Sequence, residues 1–214
     1  MHGAGEARRC ADADREAIEA VLAFWLEEVG PDDWFTSDPA LDDRCRNHCG
    51  ALAEAAAEGR LQGWQSSARG ALALLILLDQ MPRNIHRGTA NAFATDPLAR
   101  RVAKRSLALG YDLAFESPVR NLFYLPLMHS ESVANQHRYV RLSLLRFGQH
   151  DPETGERTGP MTPDEEDAFR YGIAHRETIR RFGRFPARND ALGRRSTAAE
   201  SAFLATGAHF VMPD

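Results

Sequence analysis

Three stretches of this chain concentrate side chains that can hydrogen-bond, carry charge or move protons, and each is framed by apolar residues. The first is LLDQMPRNIHR, Leu77–Arg87, in which an apolar run delivers Asp79 and Gln80, then Pro82, Arg83 and Asn84. Pro82 restricts Met81 and sets the exit direction of the chain. Asp79, Gln80 and Asn84 can then anchor a ligand while Arg83 or Arg87 contacts an anion. Alternatively the same groups close a helix C-terminus, with arginines at the negative end of its dipole. The second stretch is PLMHSES, where His129 and Glu131 lie two residues apart, with Gln136 and His137 following. An imidazole beside a carboxylate can transfer protons near neutral pH, and these two are the catalytic candidates. Ser130 and Glu131 are also good helix-start residues, which leaves a capping role open.

The third stretch is HRETIRRFGRFPARNDALGRRST, His175–Thr197. Its helix should end at Phe182-Gly183. Phe182 and Phe185 can plug into a core while Arg184, Arg188 and Asn189 stay polar, a reasonable cradle for phosphate or carboxylate. The alternative is an arginine-rich segment neutralised by the acidic N-terminal half of the chain.

Charge makes that alternative concrete. Residues 11–58 hold thirteen acids against three arginines, whereas 176–195 hold seven arginines against Glu177 and Asp190. Such a dipolar chain can pair with itself as a homodimer or turn its cationic segment toward an anion. The overall charge of −4 excludes a dedicated nucleic-acid binder. All basic residues but Lys104 are arginine, so no single arginine stands out as chosen for its bidentate geometry.

Other reactive residues carry less. Cys45, His48 and Cys49 share one helix face but lack a fourth zinc ligand, and no His-x-x-x-His spacing occurs, so neither metal nor other cofactor is expected. Ser130 lacks the Gly-x-Ser-x-Gly elbow of a hydrolase nucleophile. Three cysteines, an N-terminus without an apolar signal core and a longest apolar run of Ala71–Leu78 point to a cytoplasmic protein outside membranes.

The elements that must position these strings read as helices throughout. Apolar residues recur at helical spacing from Asp12 to Val29, and Gly30-Pro31 stops the run. Asp38 caps a helix beginning at Pro39, and Ser66–Leu78 is apolar on nearly all faces, so it belongs at a centre. Asp96-Pro97 opens a helix closed near Gly110; residues 119–128 and 131–147 are helical. Thr162-Pro163-Asp164-Glu165 and Thr197 with Glu200 are capping boxes. The expectation is an all-α antiparallel bundle of stacked helix pairs, six to eight helices in one domain over 11–214. A disordered tail, 1–10, and a mobile loop, 148–161, complete it.

The strings FWLEE, LLDQMPRNIHR, FYLPLMHSES and HRETIRRFGRFPARNDALGRRST together resemble the bacterial domain-of-unknown-function family 924, from about Ile18 to Phe203. The resemblance implies a tetratricopeptide-like fold and no particular reaction. The family's strings fall here on Asp79, Gln80, Pro82, Arg83, Asn84, His129, Ser130, Glu131, Gln136, Arg184, Phe185, Pro186, Arg188 and Asn189. Three readings stand: a small-molecule site for a phosphate or carboxylate, with enzymatic activity uncertain; a helical adaptor binding a peptide or partner protein; or a buried polar network that only fixes the bundle.

Overall fold

The computed structural model describes residues 2–149 and 158–212, residues 2–10 by their backbone alone. Most of the expected mobile loop, 148–161, lies outside the described residues. Among the described residues all regular structure is helical and none is strand, so the protein belongs to the all-α class. No described helix is long and apolar enough to cross a membrane. Contacts group the chain into two compact units: Met1–Arg87 with Asn91–Phe115, and Gly88–Ala90 with Glu116–Asp214.

The first unit holds α1 (His2–Ala23), α2 (Pro39–Ala57), α3 (Ala68–Leu75), α4 (Met81–Ile85) and α5 (Asp96–Ala108). Asp38 caps α2 as expected, its carboxylate accepting from Ala40 N at 2.9 Å. Ser67 caps α3 through Gly70 N at 3.1 Å. Gly70 to Leu75 are all buried, as their uniform apolarity requires, and α3 packs on α1 and α5. Gly70 is needed there: a Cβ would sit 2.2 Å from Trp64 O. Trp25 and Trp34 stack in the same core, Trp34 Nε1 donating to Trp25 O at 2.7 Å.

Between α3 and α4 the chain widens into a π-helical turn, Ile76–Gln80. Pro82 has no N–H to give to the carbonyl of Leu78 four residues back. Thr95 supplies the missing donor, its hydroxyl lying 2.6 Å from Leu78 O. A residue thirteen positions downstream thus repairs the defect that proline makes.

The second unit holds α6 (Leu125–Met128), α7 (Val133–Arg146), α8 (Pro163–Phe182) and α9 (Ala198–Leu204), with 3₁₀ turns at Val119–Phe123 and Pro186–Arg188. Both expected capping boxes form, at Thr162/Glu165 and Thr197/Glu200. Glu165 does more than cap: its Oε2 also accepts from Gly148 N at 3.0 Å, and Oε1 from the Ser117 hydroxyl. α7 and α8 pack along their lengths, close enough at Gly172 that a Cβ would meet the Tyr139 ring at 2.1 Å.

Candidate functional site

Asp79, Gln80, Arg83 and Asn84 come together in the first unit, all but Arg83 buried. Their bonds run inward. Gln80 Nε2 donates to the Asp79 carboxylate, and Asn84 Nδ2 to Gln80 O at 3.1 Å. Arg83 bonds to Asp96 at 2.8 Å and to Ala92 O, and lies over the Phe93 ring. Asp96, expected as a helix cap, is the first residue of α5, where Thr95 holds the cap position, and it pairs with Arg83. The string therefore ties α4 to the start of α5. Arg87 extends the lock with a two-bond pair to Asp42 at 2.8 and 2.7 Å. A cleft of 390 Å³ opens beside it, with Gly50, Ala53 and Ala57 of α2 across from Pro82 and Ile85.

His129, Glu131, Arg184, Arg188 and Asn189 belong to the second unit, where the His-Ser-Glu turn meets the arginine-rich loop. The centre of this meeting is Arg194, which sequence reasoning did not single out. Its Nη1 and Nη2 bind the two oxygens of Glu131 at 2.7 and 3.0 Å, Nε binds Asn189 Oδ1 at 3.0 Å, and Nη2 also reaches Phe185 O. Asn189, fully buried, passes the link to the Ser196 hydroxyl at 3.0 Å. Glu131 takes a further bond from Phe185 N at 2.8 Å. Burial pushes the Glu131 carboxyl up. Hydrogen bonds from Arg194 and Phe185, with the charges of Arg194 and Arg188, outweigh that and hold it below the usual value. Glu131 is thus an ionised carboxylate with both oxygens engaged, and it fixes the loop.

Arg184 is similarly committed. Nε and Nη2 grip the two oxygens of Glu200 at 2.6 and 2.7 Å, and Nη2 also donates to Arg195 O. That grip, first among the causes, brings Glu200 down to about 2. Phe185 plugs into the core as expected, whereas Phe182 is half-buried against Phe203 of α9.

Arg188 is placed differently. Its guanidinium lies 4.4 Å from the centre of the Phe185 ring, and Nη1 donates to His129 O at 3.0 Å. Next to it is His175, only 5% exposed and 6.3 Å, ring to ring, from His129. Phe210 stacks on His175 at 3.9 Å, and Phe185 meets its edge at 5.4 Å. His175 Nδ1 lies 2.7 Å from Tyr171 O, which can only accept, so Nδ1 carries the proton and Nε2 the lone pair. Burial above all, then the field of His129, lowers the His175 pKa to about 3; the bond to Tyr171 O opposes this and Arg188 adds to it. The neutral ring is therefore the resident form.

The remaining candidates are inert. Burial first, and then Asp42 beside Cys45 and the Cys45 sulfur beside Cys49, pushes Cys45 up to about 11 and Cys49 up to about 12, and His48 stacks flat on Phe24 at 4.6 Å. Among the described residues no group of three His, Cys, Asp or Glu is disposed to hold a metal ion.

The model of the family described as "Bacterial protein of unknown function (DUF924)" matches residues 21–208. No curated protein matches the chain. The chain is similar to a solved structure of a protein of unknown function from Agrobacterium tumefaciens. The two are 36% identical, with 90% of this chain and 99% of that one covered and a TM-score of 0.78. With the family's pattern running through both units, from before α2 to beyond α9, the chain belongs to the DUF924 family of bacterial proteins.

Proposed function

We propose that the protein binds a small anionic molecule, a carboxylate or phosphate, in the second unit, with Arg188 and His129 as its contacts and His175 behind them. The observation that carries this reading is the cluster itself. Two imidazoles and a guanidinium, each able to bear positive charge, share one nucleus with aromatic walls from Phe185 and Phe210. Their mutual repulsion helps keep His175 neutral, and an incoming anion relieves it. Arg184 and Arg194, bound to Glu200 and Glu131, hold the frame, and the reading gives the ligand contact to Arg188 for its place over the Phe185 ring and beside the His129 carbonyl. His175 Nε2 offers the same ligand an acceptor for a hydrogen bond or a proton.

A thermal-shift panel of sulfate, inorganic phosphate and short mono- and dicarboxylates tests this on wild type, Arg188→Gln and Lys104→Gln. At one hundred times Kd a ligand stabilises by about 2.7 kcal/mol, a rise of roughly 5–10 °C for a chain of this size. The rise is expected in wild type and Lys104→Gln and lost in Arg188→Gln. An undiminished rise in Arg188→Gln sinks the reading.

The cleft of the first unit favours a second reading, an adaptor that seats a peptide segment between α2 and α4. Ala53→Arg would then abolish binding of peptides selected from a library, without lowering Tm. Equal binding by both proteins would dismiss it.

A further inference from the structure

Gln136 lies in the first turn of α7 and has no exposed surface. Its Nε2 donates twice, to Met128 O at 2.6 Å and to Ser130 O at 2.7 Å. Its Oε1 is buried and has no hydrogen-bond partner among the described residues. A residue chosen only to fill this space would be apolar, since an unpaired buried acceptor is a cost without return. What an apolar side chain cannot do is hold the two carbonyls on either side of His129.

The carbonyl between them, that of His129 itself, accepts from Arg188 Nη1 at 3.0 Å. Three consecutive carbonyls are thus fixed by two side chains. The turn is pinned beyond them as well: Asn135 donates to the Ser130 hydroxyl at 2.9 Å, and His129 N reaches Leu125 O at 2.8 Å. Ser132, at the start of α7, makes no side-chain cap bond, so the α7 N-terminus takes its direction from this clamp.

We infer that Gln136 is a positioning residue of the anion site, clamping Met128 O and Ser130 O so that the His129 imidazole and the carbonyl that seats Arg188 occupy fixed places. The inference rests on the reading that His129 and Arg188 contact the ligand. Gln136 itself touches no ligand. Its effect passes through the backbone of residues 128–130, where small displacements of a contact group weaken binding steeply.

The test uses the full chain, inorganic phosphate as probe and the ring-proton resonances of His129, in wild type, Gln136→Met and Gln136→Asn. Methionine matches the length without donating, and asparagine keeps the amide but is one methylene short. Phosphate Kd is expected to rise roughly tenfold or more in Gln136→Met and less in Gln136→Asn. The His129 resonances should move in both variants before any phosphate is added, which a filler residue would not cause. A folded variant that binds within twofold of wild type with unmoved His129 resonances overturns the inference. So does failure of both variants to fold, which would assign Gln136 to the core alone. If wild type ignores phosphate, sulfate and carboxylates alike, the proposed function fails by itself. The clamp is then judged on the ligand-free resonances, displaced in its favour and unmoved against it.

Discussion

Lowering the pH from 7 to 5 should weaken the fold chiefly through His175. In the unfolded chain this imidazole titrates near 6.5, so it is mostly protonated at pH 5, whereas in the fold it stays neutral until about pH 3. The unfolded state therefore binds the extra proton, and stability falls as pH drops below 6.5 and continues to fall toward 3. The cause is geometric. The ring is 5% exposed, stacked on Phe210, edge-on to Phe185, and close to His129 and Arg188, and the bond to Tyr171 O, which favours its cation, is outweighed. Between pH 7 and 5 the linkage amounts to about 2 kcal/mol. Urea unfolding at both pH values, on wild type and His175→Gln, isolates it, since every other titrating group is common to the two proteins. Wild type should lose about 2 kcal/mol more than the variant. Equal losses, within about 0.5 kcal/mol, would show that His175 is not held neutral and would refute the reasoning.

Further expectations come from single contacts. Gly172→Ala gains about 1 kcal/mol of helix propensity, yet its methyl meets the buried Tyr139 ring at 2.1 Å. Net destabilisation of about 1–3 kcal/mol is expected by chemical denaturation, and a more stable protein would contradict the packing. Thr95→Val keeps the shape and removes the hydroxyl from Leu78 O, which should cost about 1–3 kcal/mol, whereas Thr95→Ser should cost less. Glu131→Ala and Arg194→Ala should each cost about 2–3 kcal/mol and couple by about 1–3 kcal/mol in a double-mutant cycle at pH 7. Because the fold lowers the Glu131 pKa, that coupling is complete above the ordinary carboxylate value near 4.5 and fades as pH falls below it. Coupling that persists unchanged at low pH would argue against an ionic pair.

The sequence was most legible where cause and effect lie within four residues. Asp38 before Pro39, Thr162 with Glu165 and Thr197 with Glu200 announce helix starts through bonds that each set of residues makes with itself. The buried run before Asp79 was legible because a helix apolar on every face has nowhere else to go. Longer-range choices were not. Asp96 has the form of a cap, but Thr95 holds that position and Asp96 pairs with Arg83, thirteen residues away. Arg194 closes on Glu131 across 63 residues, and in a chain whose cations are nearly all arginine nothing local distinguishes it from Arg195. Arg184 had the composition of an anion cradle and found its anion in Glu200, sixteen residues on. The packing of the second unit sets the His-Ser-Glu turn against the arginine loop through bonds that span more than fifty residues, and no local pattern carries that meeting.

The central claim is that an anion enters the nucleus formed by Arg188, His129 and His175. Calorimetric titration with sulfate, which does not itself titrate near neutrality, measures this most directly when repeated at pH 5.5 and 7.5 in buffers of different ionisation enthalpy. An anion there favours the charged form of His175, so binding should be tighter at pH 5.5, take up protons, and vanish in Arg188→Gln. Binding without proton uptake and equal at both pH values, or binding retained in Arg188→Gln, would contradict the claim.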